Sequence, residues 1–169
     1  DEGIVAHVSM AKPVSEKLSK VLYDSCLELN LDVQLGGTYL CIEGPQFSSL
    51  AESNFYRTMG VDVIGMTNMP EAKLAREAEI CYSTVALSTD YDCWHKNHES
   101  VTVEEVVNTM KENIANARLL IENATKNIPD EKDDYIESAL RLSIISSIHS
   151  ISDESKEKLS AIIRRYLLS

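Results

Sequence analysis

The stretch that decides the fold class runs from residue 38 to residue 66 and reads TYLCIEGPQFSSLAESNFYRTMGVDVIGM. Its β-branched and aromatic start predicts a strand at residues 38–42, which ends at a Glu-Gly-Pro turn. Serine and glutamate at residues 48–53 suit a helix start, and Gly60 predicts the end of that helix. The short apolar run at residues 61–66 predicts a buried strand. A strand, a helix and a second strand in this order are typical of an α/β fold.

The flanking segments continue this alternation. Apolar residues at spacings of three and four predict a helix over residues 15–30, with Asn30 as its stop. We expect a strand at residues 31–35, a helix over residues 70–78 that begins with a proline, and another strand at residues 81–87. The predicted fold class is therefore α/β, a sheet flanked by helices.

The C-terminal part of the chain has helical patterns. Thr102 and Glu105 have the spacing of a capping box and begin a long predicted helix. Residues 127–132 predict a linker, residues 135–149 a helix, and Ser152 the cap of a final helix. One apolar face of the long helix is marked by Val106, Met110, Ile114, Ala117 and Ile121.

Composition excludes several classes of function. The 169 residues are 44% hydrophobic and 25% charged, which is typical of one packed domain of a soluble protein. A net charge of −11 without a local basic patch argues against nucleic acid or anionic lipid as a partner, and the apolar runs are far shorter than the roughly 20 residues of a membrane span. The chain begins DEGIVAHV without a secretory signal, so we expect a cytoplasmic protein whose sequence begins inside a larger one.

The four cysteines are isolated from one another in the sequence. Cys26, Cys41, Cys81 and Cys93 form no CxxC pair, which argues against a structural zinc site. The chain is large enough to bury a core without disulfides, so we expect reduced core thiols. A hyperthermophilic source would leave disulfides open as an alternative.

Unusual polar and aromatic residues follow three of the predicted strands. In an α/β sheet, ligands bind at the carboxyl ends of the strands, so we expect these three loops to form a small-molecule site if their strands are neighbours. For the third loop, spacing alone favours a structural loop instead, in which aspartates form turns with Trp94 packed over them. The residues are Phe47 and Ser48 on the first loop, Met66 and Thr67 on the second, and Thr89, Asp90, Tyr91 and Asp92 on the third.

Three segments resemble a known family. GGTYLCIEGPQFSSLAES, VIGMTNMPEAKLAREAEICY and TDYDCWH are similar, in this order, to the second half of the 5′-methylthioadenosine phosphorylases, a group of purine nucleoside phosphorylases that form trimers or hexamers. The resemblance implies an α/β phosphorylase fold around a mixed sheet flanked by helices. It implies that residues 1–169 are the C-terminal portion of a single nucleoside phosphorylase domain, with 131–169 as its C-terminal helices. It also implies that phosphate is a co-substrate, that adenine and 5-methylthioribose 1-phosphate are the products, and that no metal or organic cofactor is required.

The resemblance assigns roles around the purine. Asp90 matches the catalytic aspartate at purine N7, where a carboxylic acid relieves the negative charge of the leaving base. Asp92 matches the residue that supports recognition of adenine, since carboxylate oxygens accept from a 6-amino group, and 6-oxopurine enzymes resemble this site with asparagine at the position of Asp90. Phe47 matches the aromatic residue against the base, and Ser48 matches a polar neighbour of the purine. Core packing is the alternative for Phe47.

The resemblance also assigns residues to the sugar, the phosphate and the 5′ group. Met66 matches the residue under the ribose and Thr67 matches a phosphate ligand, with a buried core methionine and a helix cap as the alternatives. Val103 and Val106 match the apolar wall of the 5′-methylthio pocket, and an ordinary core face is the alternative for both. His7 matches a residue that a neighbouring subunit contributes to that pocket, or it is simply a solvated residue.

Two departures from the family stand out. Leu50 occupies a position where the family usually carries arginine, so an ion pair of that arginine with Glu52 is not available. The phosphate-binding glycine loop and an Arg-His pair of the family belong to an N-terminal part outside this sequence. We therefore expect the chain to act with that N-terminal part, within a homo-oligomer. Broader activity on adenosine or inosine, and a non-catalytic subunit that binds adenine nucleosides, are the alternatives.

Overall fold

A computed structural model describes residues 3–95 and 103–167 of the chain. The chain divides into two compact units. Unit 1 comprises Asp1–Lys17, Pro70–Ser83 and Asp130–Ser169, and unit 2 comprises Leu18–Met69 and Thr84–Pro129. The elements in chain order are α1 Glu16–Glu28, β1 Tyr39–Cys41, α2 Leu50–Thr58, β2 Val63–Gly65, α3 Asn68–Glu77, α4 Val103–Ala124, α5 Asp134–Glu137, a 3-10 turn Ile148–Ser150, α6 Asp153–Lys158 and α7 Ser160–Leu167.

The predicted strand, helix and strand at residues 38–66 are confirmed. Strands β1 and β2 pair in parallel, with Tyr39 opposite Val63 and Cys41 opposite Gly65, and α2 connects them. Parallel strands require such a crossover connection, because the chain must return to the same end of the sheet. The described residues therefore form an α/β structure with a sheet of two parallel strands, and the α/β class is confirmed.

Gly65 makes room for the ring of Tyr39. A Cβ atom at residue 65 would lie 1.7 Å from the Tyr39 hydroxyl oxygen and 2.6 Å from the ring carbon that carries it. A tyrosine ring has no internal flexibility, so the whole side chain or the backbone of β2 would have to move. The two strands therefore depend on the absence of a side chain at this position.

We expect Gly65→Ala to lower the free energy of unfolding by about 1–3 kcal/mol or more, which is the usual cost of forcing extra atoms into packed structure. The measurement is urea unfolding of the Gly65→Ala chain, alone and in a Tyr39→Ala background. The alanine should cost much less when the tyrosine ring is absent. An equal cost in both backgrounds would show that the ring is not the cause.

Three helices end at a residue with a left-handed backbone. Asn30, Gly60 and Glu79 have φ values of 55°, 73° and 56°. At Asn30, the N–H of Leu31 donates to the carbonyl of Cys26, and equivalent bonds follow Gly60 and Glu79. Bonds of this kind satisfy the last carbonyl groups of a helix. The predicted stops at Asn30 and Gly60 are thus confirmed.

The strands predicted at residues 31–35 and 81–87 are wrong as assignments of paired strands. Within the described ranges, neither run belongs to a sheet. Apolar and β-branched residues indicate a preference for extended backbone, but a strand also needs a hydrogen-bonded neighbour, which composition does not specify.

The helix predicted at residues 135–149 is also wrong for most of its length, since α5 ends at Glu137. Long-range hydrogen bonds replace the helical ones. The N–H of His7 donates to the carbonyl of Ser143 at 2.8 Å, and the N–H of Ile145 donates to the carbonyl of Val5 at 3.0 Å. The backbone of residues 143–145 thus pairs with the N-terminal segment instead of with its own preceding turn.

The final predicted helix is capped as expected and then interrupted. The Ser152 hydroxyl accepts from the N–H of Ser155 at 3.2 Å, which confirms the cap. Helix α6 ends at Lys158, and α7 begins at Ser160. The apolar stripe of the predicted single helix therefore lies on α7 and the residue before it, at Leu159, Ile162, Ile163, Tyr166 and Leu167.

Buried Glu79 organises the described core of unit 1. Its carboxylate accepts from the N–H of Leu140 at 2.8 Å and from the Tyr166 hydroxyl at 2.5 Å, and it forms an ion pair with Arg165. Burial, and then the hydrogen bond to Glu79, raise the pKa of Tyr166, so its hydroxyl remains a donor. These bonds hold a non-glycine residue in the left-handed region, which costs energy in isolation.

Helix α4 exposes most of the described part of its predicted apolar face. Met110, Ile114 and Ile121 on that face are exposed and Ala117 is half-buried, whereas Leu120 is buried. The predicted capping residue Thr102 and the side chain of Glu105 lie outside the described residues. No described helix has both the length and the apolar character needed to cross a membrane.

The four cysteines are free thiols, as predicted. Cys26 is buried, and burial raises the pKa of its thiol. Cys93 is exposed, so the expectation of core thiols is wrong there, because Cys93 lies in a surface turn rather than in an apolar strand or helix.

Candidate functional site

The loops after β1 and β2 leave the sheet side by side. The N–H of Ile42 donates to the carbonyl of Gly65 at 2.9 Å, which extends the parallel pairing past β1. Gly44 in the first loop has a φ of 71°, and a Cβ atom there would lie 2.6 Å from the sulfur of Met66 in the second loop. Only glycine therefore allows this close approach without strain.

The first loop presents Phe47 to solvent. Its side chain is 88% exposed, so the core alternative for Phe47 is wrong. Ser48, which follows it, is half-buried. A fully exposed phenylalanine beside the carboxyl ends of two strands provides a flat apolar surface on which a planar ligand can stack.

A capping box fixes the next residues. The Ser49 hydroxyl accepts from the N–H of Glu52 at 3.3 Å, and the Glu52 carboxylate accepts from the N–H of Ser49 at 2.8 Å. The backbone N–H of Ser49, and then its hydroxyl, hold the pKa of Glu52 below its ordinary value. Leu50 is exposed at the first position of α2. The hydrogen-bond partner of Glu52 is therefore Ser49 rather than an arginine at position 50.

The depressed pKa of Glu52 predicts a pH dependence of stability. A carboxylate with a lowered folded-state pKa stabilises the fold above its unfolded pKa, and this contribution disappears as pH falls through the folded-state pKa, below about pH 4.3. Glu52→Ala should therefore lower the melting temperature more at pH 7 than at pH 3. Glu112→Ala, an exposed position on α4, is the control. An equal effect of Glu52→Ala at both pH values would contradict this assignment.

Residues 88–95 form what we call the acidic loop. Exposed Asp90 accepts a hydrogen bond from the Thr89 hydroxyl at 2.8 Å. Half-buried Asp92 accepts from the N–H of Cys93 at 2.8 Å with one carboxylate oxygen, and its other oxygen is buried with no hydrogen-bond partner among the described residues. A buried carboxylate oxygen without a donor is costly, so this atom is a candidate ligand contact.

Three contacts hold the acidic loop within unit 2. The Cys93 thiol lies 3.6 Å from the carbonyl oxygen of Ser48, and the Arg57 guanidinium lies 3.8 Å from the centre of the Trp94 ring. Asn113 of α4 donates to the carbonyl of Ser88 at 3.0 Å. The structure therefore brings the acidic loop beside the loop that carries Phe47.

The second loop continues directly into α3. Met66 is half-buried against Gly44, and exposed Thr67 immediately precedes the first residue of α3. The Thr84 hydroxyl donates to the side-chain oxygen of Asn68, which connects this loop to the segment that leads into the acidic loop. Residues from all three predicted loops thus lie within one connected region of unit 2.

Three other predicted site residues are not placed in this region. The backbones of Val103 and Val106 belong to α4, but their side chains lie outside the described part of the chain. His7 is exposed in unit 1, where its N–H pairs with Ser143. Their assigned roles remain predictions.

Sequence reasoning missed Arg57, Cys93 and Asn113 as contacts of the acidic loop. Each is an ordinary polar residue in its own segment, and only the tertiary structure brings it to the loop. The nearest sequence signal was Trp94, which was expected to pack over the aspartates. Its ring instead contacts those of Tyr91, edge-on at 6.1 Å, and of His95 at 5.1 Å.

An open depression of about 690 Å³ lies elsewhere, in unit 1. Lys132, Arg164 and Arg165 line it together with Glu79, which is already paired with Arg165. No predicted site residue lines this depression. In the ranges 3–95 and 103–167, no group of three or more His, Cys, Asp or Glu side chains is placed to hold a metal ion.

Comparison with known proteins identifies the family. The model of the phosphorylase superfamily matches residues 1–126. Proteins named S-methyl-5′-thioadenosine phosphorylase from Geobacter sulfurreducens and Koribacter versatilis are 52% and 48% identical to the chain over 165 residues, and each match covers 98% of it. The chain spans 58% and 56% of the length of these two curated relatives.

Solved structures agree with this result. A methylthioadenosine phosphorylase sourced from an antarctic soil metagenomic library superposes with a TM-score of 0.87 at 41% identity, over 96% of this chain and 58% of that one. The methylthioadenosine phosphorylase from Schistosoma mansoni in complex with adenine superposes with a TM-score of 0.74 at 27% identity, over 84% of this chain and 57% of that one. The α/β fold, the arrangement of the three loops and the match over three quarters of its length show that this chain belongs to the phosphorylase superfamily.

Proposed function

We propose that the chain, together with the N-terminal part that its relatives carry, catalyses the phosphorolysis of 5′-methylthioadenosine. Phosphate forms a bond to C1′ of the ribose, the bond from C1′ to N9 of the purine breaks, and the products are adenine and 5-methylthioribose 1-phosphate. The names of relatives at 52% and 48% identity support this reaction. We also propose that the protein is soluble and cytoplasmic. Its four cysteines are free, and thiols stay reduced in the cytosol.

The observation that carries the proposal is the acidic loop beside Phe47. Asp92 has a buried carboxylate oxygen without a donor among the described residues, and the exposed carboxyl of Asp90 lies two residues away. The 6-amino group of adenine supplies N–H donors, which suits carboxylate oxygens, whereas the 6-oxo group of hypoxanthine supplies an acceptor. The side chains at this edge therefore favour a 6-aminopurine.

We assign the protonation of the leaving base to Asp90. As the glycosidic bond breaks, its electron pair moves onto the purine, and a carboxylic acid that gives a proton to N7 neutralises that charge. Asp92 orients the base through its 6-amino group. Phe47 stacks on the purine face, and Ser48 is a polar neighbour of the base.

The second loop holds the sugar and the phosphate in this proposal. Met66 packs under the ribose, because a thioether is apolar and adapts to an irregular surface. Thr67 donates its hydroxyl and N–H to the phosphate at the start of α3, where backbone donors of a helix favour an anion. Val103 and Val106 form the wall for the 5′-methylthio group, and His7 reaches the same pocket in a neighbouring subunit.

The partner that we propose is the N-terminal part of the enzyme, within a homo-oligomer that is a trimer or a hexamer. Two features of the described residues support it. Residues 31–35 have the composition of a strand but belong to no described sheet, and Met110, Ile114 and Ile121 on the apolar face of α4 are exposed. Added strands would pair with residues 31–35, and the same added part would cover the exposed face of α4. Phosphate is a co-substrate, and we propose no metal or organic cofactor.

Initial rates test the proposal. The chain is combined with the N-terminal part, and phosphate-dependent release of the base is measured with methylthioadenosine, adenosine and inosine. We expect the highest kcat/KM with methylthioadenosine and the lowest with inosine. A preference for inosine would contradict the assignment of the acidic loop to a 6-amino group.

Activity on adenosine is the second candidate. A solved relative from Schistosoma mansoni, at 27% identity and a TM-score of 0.74, is named an adenosine/methylthioadenosine phosphorylase. The two substrates differ only at the 5′ position, so the acidic loop treats them alike. A kcat/KM for adenosine equal to that for methylthioadenosine would favour this broader activity.

A further inference from the structure

The acidic loop contains a tight turn whose first residue is Asp92. The N–H of His95 donates to the carbonyl of Asp92 at 3.2 Å, and the Asp92 carboxylate accepts from the N–H of Cys93. Among the described residues, the hydrogen bond within the turn therefore orients the Asp92 carboxylate. Whatever holds the turn also sets the direction of the second, buried carboxylate oxygen.

The two central residues of that turn contact α2 and the residues that lead into it. The Cys93 thiol lies near the carbonyl of Ser48, at 3.6 Å, and this is a weak hydrogen bond because a thiol is a poor donor. The indole of Trp94 lies under the guanidinium of Arg57, at 3.8 Å from ring centre to guanidinium carbon. A cation over the face of an indole is the stronger of the two contacts.

Arg57 lies on a helix whose two ends are both fixed. It lies in the last turn of α2, whose first turn is fixed by the capping box and whose end is fixed by Gly60. Phe47, the stacking residue of the proposed purine site, lies two residues before Ser49, the N-cap of the same helix. A single rigid helix therefore separates Phe47 from the contact to the acidic loop.

We infer that Arg57 is a positioning residue, which holds the turn of the acidic loop through Trp94 so that the Asp92 carboxylate faces the base. The inference rests on the proposed function, since it specifies how that site is held. Arg57 does not contact the reacting atoms in this role. Its loss lowers the population of the correctly oriented turn and leaves the phosphate side of the site intact.

Trp94 provides a readout that is independent of activity, because it is the single tryptophan of the chain. We compare the wild-type chain with Arg57→Leu, Arg57→Lys and the control Arg118→Leu, an exposed arginine on α4. Arg57→Leu should shift the Trp94 emission to longer wavelength and increase its quenching by acrylamide. Arg57→Lys keeps a cation over the ring and should stay close to wild type, as should Arg118→Leu.

The kinetic test uses the same variants in the enzyme completed by its N-terminal part. Arg57→Leu should lower kcat for methylthioadenosine about five-fold, with an unchanged KM for phosphate, and Arg57→Lys should recover most of the loss. If the wild-type enzyme shows no phosphorolysis, the proposed function fails, and the Kd of adenine then replaces kcat, with about five-fold weaker binding expected for Arg57→Leu. Unchanged Trp94 emission in Arg57→Leu overturns the inference, as does an equal effect of Arg57→Leu and Arg57→Lys.

Discussion

Asp90→Asn is expected to lower kcat for methylthioadenosine by about 10²- to 10⁴-fold in the enzyme completed by its N-terminal part, which is the usual contribution of a general acid. Asparagine has nearly the same shape and can still accept or donate a hydrogen bond, but it has no proton to give to N7. The melting temperature should change little, because Asp90 is exposed and its described contact is the neighbouring Thr89 hydroxyl.

Asp32→Asn is the matched control for this experiment. Asp32 is also an exposed aspartate of unit 2, and it lies in the segment after α1, outside the three loops of the site. Its replacement should leave kcat unchanged. Equal kcat values for Asp90→Asn and wild type would remove Asp90 from the mechanism.

Phe47→Ala is expected to weaken adenine binding by about 5- to 150-fold. Removal of an aromatic side chain that stacks on a base typically costs about 1–3 kcal/mol, and 1.4 kcal/mol is a factor of ten. Folding should be largely unaffected, since the Phe47 side chain is 88% exposed and fills no part of the core. The measurement is isothermal titration of adenine into the completed enzyme, in the presence of phosphate.

Phe55→Ala is the control for Phe47→Ala. These are the two phenylalanines of the chain, and Phe55 is likewise exposed, on α2. The loss of adenine affinity should be specific to Phe47. Equal affinities for the two variants would show that Phe47 does not stack on the base.

Local sequence signals predicted the elements whose causes are local. Asn30 and Gly60 end their helices because both residues tolerate a left-handed backbone, and Ser152 begins α6 because its hydroxyl reaches the N–H of Ser155. Strand, helix and strand at residues 38–66 follow from the same kind of signal. The family resemblance rested on this stretch and on the acidic loop.

Elements that depend on distant partners were not predictable in this way. Residues 135–149 have a helical composition, but residues 143–145 bond to the N-terminal segment, and the N–H of Leu140 bonds to Glu79. The sequence patterns at residues 31–35 and 81–87 indicate extended backbone, but they do not specify a hydrogen-bonded neighbouring strand. Likewise, nothing in the sequence around Arg57 indicates that it lies over Trp94, since 36 intervening residues separate the two in the chain.

The exposed apolar face of α4 also depends on a distant partner that the local sequence does not specify. Its predicted apolar face has the spacing of a buried helix face, and Met110, Ile114 and Ile121 on that face are exposed in the described residues. The spacing of the apolar residues shows that such a face favours burial, but it does not identify the element that covers the face. We propose that the N-terminal part of the enzyme covers it.

The orientation of adenine relative to the acidic loop tests the central claim most directly. A crystal structure of the completed enzyme with adenine and phosphate would measure the distances from the Asp90 carboxyl to N7 and from the buried Asp92 oxygen to the 6-amino group. We predict that both distances lie at about 2.6–3.2 Å, with the purine stacked on Phe47. Adenine bound elsewhere, or bound with both carboxyl groups turned toward bulk water, would contradict the proposed role of the loop.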